Sequence, residues 1–205
     1  MGGRAGGGGG AGFGSRSGGD ASMRHLSAAA QKAAKTAEEQ IRNHEVEHGV
    51  VMDENGNIYW QGTDNKNSSI RYGADRTGRI TIHNHPAVDI STGKRIDRAD
   101  NGGSFSKADL MNAANYNQIE SRVVTGKYTF SIRRPATGWK SDMSNRRAYG
   151  KAKRIVDKRI QKYYDSRPWG TLKTSSHRVS ATYWHLVNKE YAKIQGYKYT
   201  KTKIH

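Results

Sequence analysis

The chain has 205 residues, enough for one domain of ordinary size with appendages. It contains no cysteine, which excludes a disulfide framework and any thiolate metal site, so a bound metal would need imidazole and carboxylate ligands. The formal charge of +17 is uneven: residues 139–205 carry 17 Lys/Arg against 4 Asp/Glu, while residues 1–138 carry 18 against 14.

Residues 1–22 hold 11 of the 24 glycines and almost no apolar side chains. Such a segment cannot offset its ordering entropy, so it is expected to be a disordered leader, acting as a tether or marking an upstream domain boundary. It has no hydrophobic signal core. Gly6 stands where a myristoylation signal requires Ser or Thr. No apolar run approaches the roughly 20 residues of a membrane span.

Residues 25–43 are rich in Ala, Gln, Glu and Lys and predict a helix. Val50-Val51-Met52, Asn55-Gly56 and Ile58-Tyr59-Trp60 then predict a hairpin closed by a tight primed turn. Thr63 to Gly78 reads as a polar loop, with short structure near Ile70-Arg71-Tyr72. The β-branched run Arg79-Ile80-Thr81-Ile82 predicts a strand that carries His83-Asn84-His85 and ends at Pro86. Residues 88–103, rich in Asp, Arg, Lys and Gly, read as a surface loop. Ser106-Lys107-Ala108-Asp109 opens a helix through a capping box, and residues 120–125 and 128–133 read as two strands joined at Gly126-Lys127.

The remainder predicts a basic helical C-terminal extension, residues 139–205. Its first helix, 143–165, has a narrow apolar stripe of Ala148, Ile155, Ile160 and Tyr163 or Tyr164. Pro168 and Gly170 interrupt it. Ser175-Ser176 caps a second helix, 177–195, with Val179, Tyr183, Leu186, Val187 and Ile194 near helical spacing. Gly196 stops that helix before a short strand at Tyr197–Thr200. The aromatics of this segment read as packing residues rather than a base-stacking platform. Its charge suits either a polyanion such as nucleic acid or a solvated helix face.

The order of elements gives an α/β class with a mixed sheet flanked by helices. Two histidines at i and i+2 on a strand face the same way, so His83 and His85 can converge on one metal ion. Asp109 sits in the first turn of the next helix. Two nitrogens and one carboxylate leave the fourth position of a tetrahedral Zn²⁺ open for water, the layout of a catalytic site. Asn84 faces the other side of the strand and reads as a structural hydrogen-bonder. His48 is also turned away, His177 and His185 read as surface residues, and Arg133 and Arg134 as strand-end charges. The letters His-Asn-His do not make a nuclease motif, because that motif places its residues on separate parts of a ββα unit.

HxHP followed by SxxD resembles the JAMM (JAB/MPN) metallopeptidase signature over residues 44–135, and most closely the JAB-like domains of phage and mobile-element proteins attached to MuF-type head proteins. The resemblance implies a JAB/MPN-like domain over residues 23–138 with zinc on His83, His85 and Asp109. It implies a glutamate, matched by Glu47, that takes the proton of the activated water. It places Ser106 at the developing oxyanion. The substrate class implied is a peptide or isopeptide bond, ubiquitin-like proteins included, and the setting is the cytoplasm of a bacterial host or a virion. His85 and Ser106 are 21 residues apart, where the family usually has about eight. The glutamate register is also shifted, which leaves Glu45 as an alternative to Glu47. A JAB-like scaffold without activity, as in the RadC-like branch, acting through its basic segment, is the competing reading.

Overall fold

The computed structural model describes residues 26–66, 70–86, 103–166 and 181–204; the Gly-rich leader, most of the 88–103 loop and the Pro168–His177 punctuation lie outside them. In chain order the elements are α1 (Ala28–Ile41), β1 (His48–Met52), β2 (Ile58–Thr63), β3 (Ile80–Asn84), α2 (Lys107–Asn115), β4 (Glu120–Val124), β5 (Tyr128–Arg133), α3 (Asp142–Asp165), α4 (Ala181–Gln195) and β6 (Lys198–Lys203). The strands form one open mixed sheet in the order β2-β1-β3-β4-β5-β6. β3 and β4 are parallel and are connected through α2, while every other neighbouring pair is antiparallel.

Each face of the sheet has its own helix layer. α1 presents Ala30, Ala34, Ala37 and Ile41, one stripe at helical spacing, to Val50, Met52, Ile80, Ile82 and Val124. Alanine on that stripe lets the helix backbone lie close to the sheet. The opposite face carries Val123, Phe130 and Ile132, buried under Leu110 and Met111 of α2, Tyr149, Ala152 and Val156 of α3, and Tyr183, Val187 and Tyr191 of α4. β3 lies between the two layers, with all five residues buried.

The described part of residues 139–205 is built into this body. β6 pairs with β5 from Arg133↔Lys198 to Tyr128↔Lys203, and α3 and α4 supply much of one core. Its described residues are therefore two helices and a strand of the same sheet. The apolar stripe of α3 also runs in a different phase from the sequence reading. Ala148, Tyr149, Ala152 and Val156 point inward, Ile155 is half-buried and Tyr163 is exposed. Asn145, one turn before Tyr149, sets that phase. It is fully buried, and its Oδ1 accepts hydrogen bonds from Tyr191 Oη at 2.9 Å, Tyr197 Oη at 2.8 Å and Gln195 Nε2 at 2.9 Å. Leu186, expected to be inward on α4, is exposed for the same reason of phase. Gly196, with φ +76°, ends α4 as expected, and the Tyr197 N–H reaches back to Ala192 O at 2.9 Å to close the turn.

Two other local readings change. The β1–β2 turn is wider than a two-residue primed turn: Asp53 N–H donates to Asn57 O at 3.0 Å, and only Gly56 takes a positive φ, of 95°. The Asp53 carboxylate explains this, since it accepts from the Asn55 and Asn57 amides at 2.9 Å each and organises a three-residue loop. Arg133 is not a bare strand-end charge. Its Nη2 lies 2.7 Å from the buried Glu120, which also binds Arg122, and Arg122 reaches Glu38 of α1. This buried ionic chain ties α1 to β4 and β5, and removing one member would leave its partners charged and dry.

Candidate metal centre

The parallel β3–β4 pair places its C-terminal ends side by side, with Asn84 opposite Val124 and the ladder continued by His85 N–H to Val124 O at 2.8 Å. The histidine imidazoles emerge there on the face covered by α2. The capping box forms as the sequence predicts: Ser106 Oγ accepts from Asp109 N–H at 3.2 Å, and the Ser106 N–H donates to Asp109 Oδ2 at 2.7 Å. The helix start thereby fixes the carboxylate that faces the histidines.

His83 Nε2 and His85 Nε2 are 3.2 Å apart. Asp109 Oδ1 is 3.6 Å from His83 Nε2, and Asp109 Oδ2 is 3.8 Å from His85 Nε2. Each of the three residues offers a donor atom within 4.8 Å of the other two, so the group could hold a metal ion. His85 Nδ1 lies 2.7 Å from the Gly103 carbonyl, which can only accept, so Nδ1 carries the proton and Nε2 faces the cluster. A backbone carbonyl on the far nitrogen of a histidine is the usual way to fix a ligand's ring and tautomer.

The electrostatics are those of a concentrated cluster. Burial acts against a charge on His83, but the Asp109 carboxylate outweighs it and raises the imidazole above its ordinary value. Burial likewise opposes ionisation of Asp109, yet His83 and then His85, together with Ser106, hold it well below the usual carboxylate range. Glu47 is buried just before β1, and that burial pushes its carboxyl up to about 7. His83 pulls it the other way, while Asp109 and Asp64 add to the rise. Glu45 is exposed. The segment 44–47 is not strand, so the alternation that would have put both glutamates on one side does not apply.

Asn84 is the anchor of that segment. From the face of β3 opposite the histidines, its Oδ1 accepts from His48 N–H at 2.5 Å, and its Nδ2 donates to His44 O and Val46 O at 3.1 Å each. It is fully buried and ties the glutamate-bearing turn to the histidine-bearing strand. His48 stacks on His44 with ring centroids 3.8 Å apart, and neither joins the donor group.

Sequence reasoning passed over three residues around the site. Tyr72, half-buried in the loop after β2, is pushed up by burial and further by the charge of Asp109, and Arg76 packs over its ring at 4.8 Å. Gly49, paired with His83, makes room for it: a Cβ there would fall 2.8 Å from Tyr72 Cε1. Asp64 keeps both carboxylate oxygens buried with no hydrogen-bond partner among the described residues, while its charge acts on Glu47. The strand and turn context of these residues was readable, but the meeting of Tyr72 with Gly49, and of the Asp64 charge with Glu47, is made across the fold and leaves no local sign.

No protein-family model, no curated protein and no solved structure matches the chain. The chemistry of this centre therefore rests on its own residues.

Proposed function

We propose that this protein is a zinc-dependent hydrolase of peptide or isopeptide bonds, of the JAMM type. The observation that carries the proposal is the convergence of His83, His85 and Asp109 beside a buried glutamate with a raised pKa. The donor set fits the metal. Two imidazole nitrogens and one carboxylate suit zinc and leave a position open. The Gly103 carbonyl already commits His85 to presenting Nε2. Without a cation, two imidazole Nε2 atoms 3.2 Å apart must share a proton beside a carboxylate.

When bound, zinc would polarise water and the scissile carbonyl. The chain's own residues do the rest. Glu47 takes the proton of the attacking water and returns it to the leaving amine, a role that needs a carboxyl titrating near the working pH. Ser106 Oγ accepts from the Asp109 N–H, and its own O–H, which otherwise serves the Asp109 carboxylate, would turn to donate to the developing oxyanion. Asn84 keeps the Glu47 turn in place. In the substitution series that tests this, Glu47→Gln keeps zinc and loses hydrolysis by roughly 10²–10⁴-fold, while Asp109→Ala loses zinc itself. Glu45→Gln, at the exposed position, keeps both. A peptide library cleaved by the wild type supplies the substrate. Full activity in Glu47→Gln would reject the proposed base.

A second reading, compatible with the first, is favoured by one surface. Arg147, Lys151, Arg154, Lys158 and Lys162 are exposed and recur at three- and four-residue spacing along α3, a basic stripe about 22 Å long at 1.5 Å per residue. The neighbouring Arg146 and Arg159 are instead paired with Asp142 and Glu190. The stripe would engage phosphates of nucleic acid, bringing the hydrolase to its place of action. Replacing Lys151, Arg154 and Lys158 by Gln should flatten the salt dependence of binding to a DNA duplex by about three units of slope; an unchanged slope would leave the stripe as a solvated face.

A further inference from the structure

α4 and β6 reach the metal centre through a partly buried chain of hydrogen bonds. Asn188 of α4 is fully buried, and its Nδ2 donates to Ser104 Oγ at 3.0 Å and to Phe105 O at 2.9 Å. Ser104 Oγ lies 2.7 Å from Tyr199 Oη of β6, and Tyr199 Oη lies 2.9 Å from His185 Nδ1. Because Ser104 accepts from Asn188, its own proton is available to Tyr199, and Tyr199 can then donate to His185. The direction of the chain requires His185 to be neutral. Burial, with Lys201 and Lys189 adding to it, depresses that histidine to about 4, which agrees. The rings are packed as well: Tyr199 meets Phe105 edge-on at 6.4 Å between centroids, and the Trp184 ring stands over Gly103, 3.7 Å from where a Cβ would be.

The segment held in this way is residues 103–106, and it controls two of the three donors. Gly103 O fixes the ring of His85, and Ser106 starts the helix that carries Asp109. We infer that Asn188 and Tyr199 are positioning residues of the metal centre, holding Ser104 and Phe105 so that the Gly103 carbonyl and the α2 cap set His85 and Asp109. This inference rests on the metal reading above, but it concerns how the ligands are placed, not what the bound ion does. It also assigns a role to His185, read from the sequence as a surface residue, as the terminal acceptor of the chain. Neither Asn188 nor Tyr199 touches the donor atoms, so both act through the backbone of 103–105.

The experiment uses the full chain with Tyr199→Phe, Asn188→Ala and a control, Tyr191→Phe. The control removes another buried hydroxyl from the same core, one bound to Asn145 and not to the 103–106 segment. Zinc affinity is measured by competition with a chromophoric chelator. The His85 Nδ1 proton is followed by NMR in the metal-free protein. Tyr199→Phe and Asn188→Ala should weaken zinc by about 10-fold or more, as loss of outer partners of ligands commonly does, and should speed exchange of the His85 proton. Tyr191→Phe should lower the melting temperature with both readouts at wild-type values. Tyr199→Phe keeps the ring, so it reports even where Asn188→Ala fails to fold. Wild-type affinity and wild-type His85 exchange in Tyr199→Phe would overturn the inference, as would an equal loss in Tyr191→Phe. A wild type that binds no zinc would reject the metal reading, and the His85 proton would then decide the positioning claim by itself.

Discussion

At His83 the local charges work against one another, and the balance has a consequence for pH. Asp109 raises the imidazole despite burial, so in the metal-free protein the protonated form persists to higher pH than in a free histidine. Zinc requires the neutral ring. Its binding should therefore release protons, and its affinity should climb as pH rises from 6 through 8. Calorimetry in two buffers of different ionisation enthalpy measures this directly. An affinity independent of pH between 6 and 8 would contradict the assignment of His83. Glu47 must likewise be deprotonated, since only the carboxylate can accept a proton. Its carboxyl titrates at about 7 in the metal-free protein, and a cation at the neighbouring donors lowers it from there, so the acid limb of hydrolysis should lie below pH 7. Both histidines and the acid were legible in the sequence because strand alternation and helix capping are local rules. The choice between Glu45 and Glu47 was not. The turn at 44–47 is shaped by Asn84 from another strand, and burial of only one of the two glutamates follows from that contact.

Among the elements, α2 shows one residue serving two purposes. Ser106 caps the helix with its oxygen and directs its proton into the site, where the Asp109 carboxylate lies. Glycine is nearly as good a cap as serine, costing only a few tenths of a kcal/mol, whereas alanine costs about 1 kcal/mol. Ser106→Gly should thus melt close to wild type while hydrolysis falls by about 10²-fold or more, the range seen on losing an oxyanion donor. Ser106→Ala should lose both stability and activity. Thermal unfolding and a turnover assay separate the two roles, and undiminished hydrolysis in Ser106→Gly would confine the serine to capping. The helix, the β3 strand and the β4–β5 hairpin were predicted from capping and alternation with nearly their observed bounds. The phase of α3 was not, since its charge-rich sequence offers two weak apolar stripes. Asn145, a polar residue that no hydrophobic pattern would select, decides between them by binding three partners from α4 and the turn after it.

Across the whole molecule, the basic C-terminal segment and the candidate site turn out to be parts of one construction. The sequence separates them by charge, because residues 139–205 hold most of the positive excess. Charge records the outer faces of α3 and α4 and says nothing of their inner faces, which bury Tyr149, Val156, Tyr183 and Tyr191 against β4 and β5. The pairing of β6 with β5 is likewise long-range: a short strand at Tyr197–Thr200 is legible in the sequence, but nothing local in Lys198–Lys203 names β5 as its partner. The unit that places His85 and Asp109 therefore includes residues almost 100 positions downstream. Such an arrangement explains how a site whose ligands all lie between 83 and 109 depends on the chain's far end.

The most direct test of the central claim is the metal content of the full chain, purified with and without His83→Ala and measured by elemental analysis alongside protein concentration. The account predicts one zinc per chain in the wild type and a loss of nearly all of it in His83→Ala, with the fold retained by circular dichroism. A wild type free of zinc after incubation with it, or a His83→Ala variant that binds zinc as the wild type does, would contradict it.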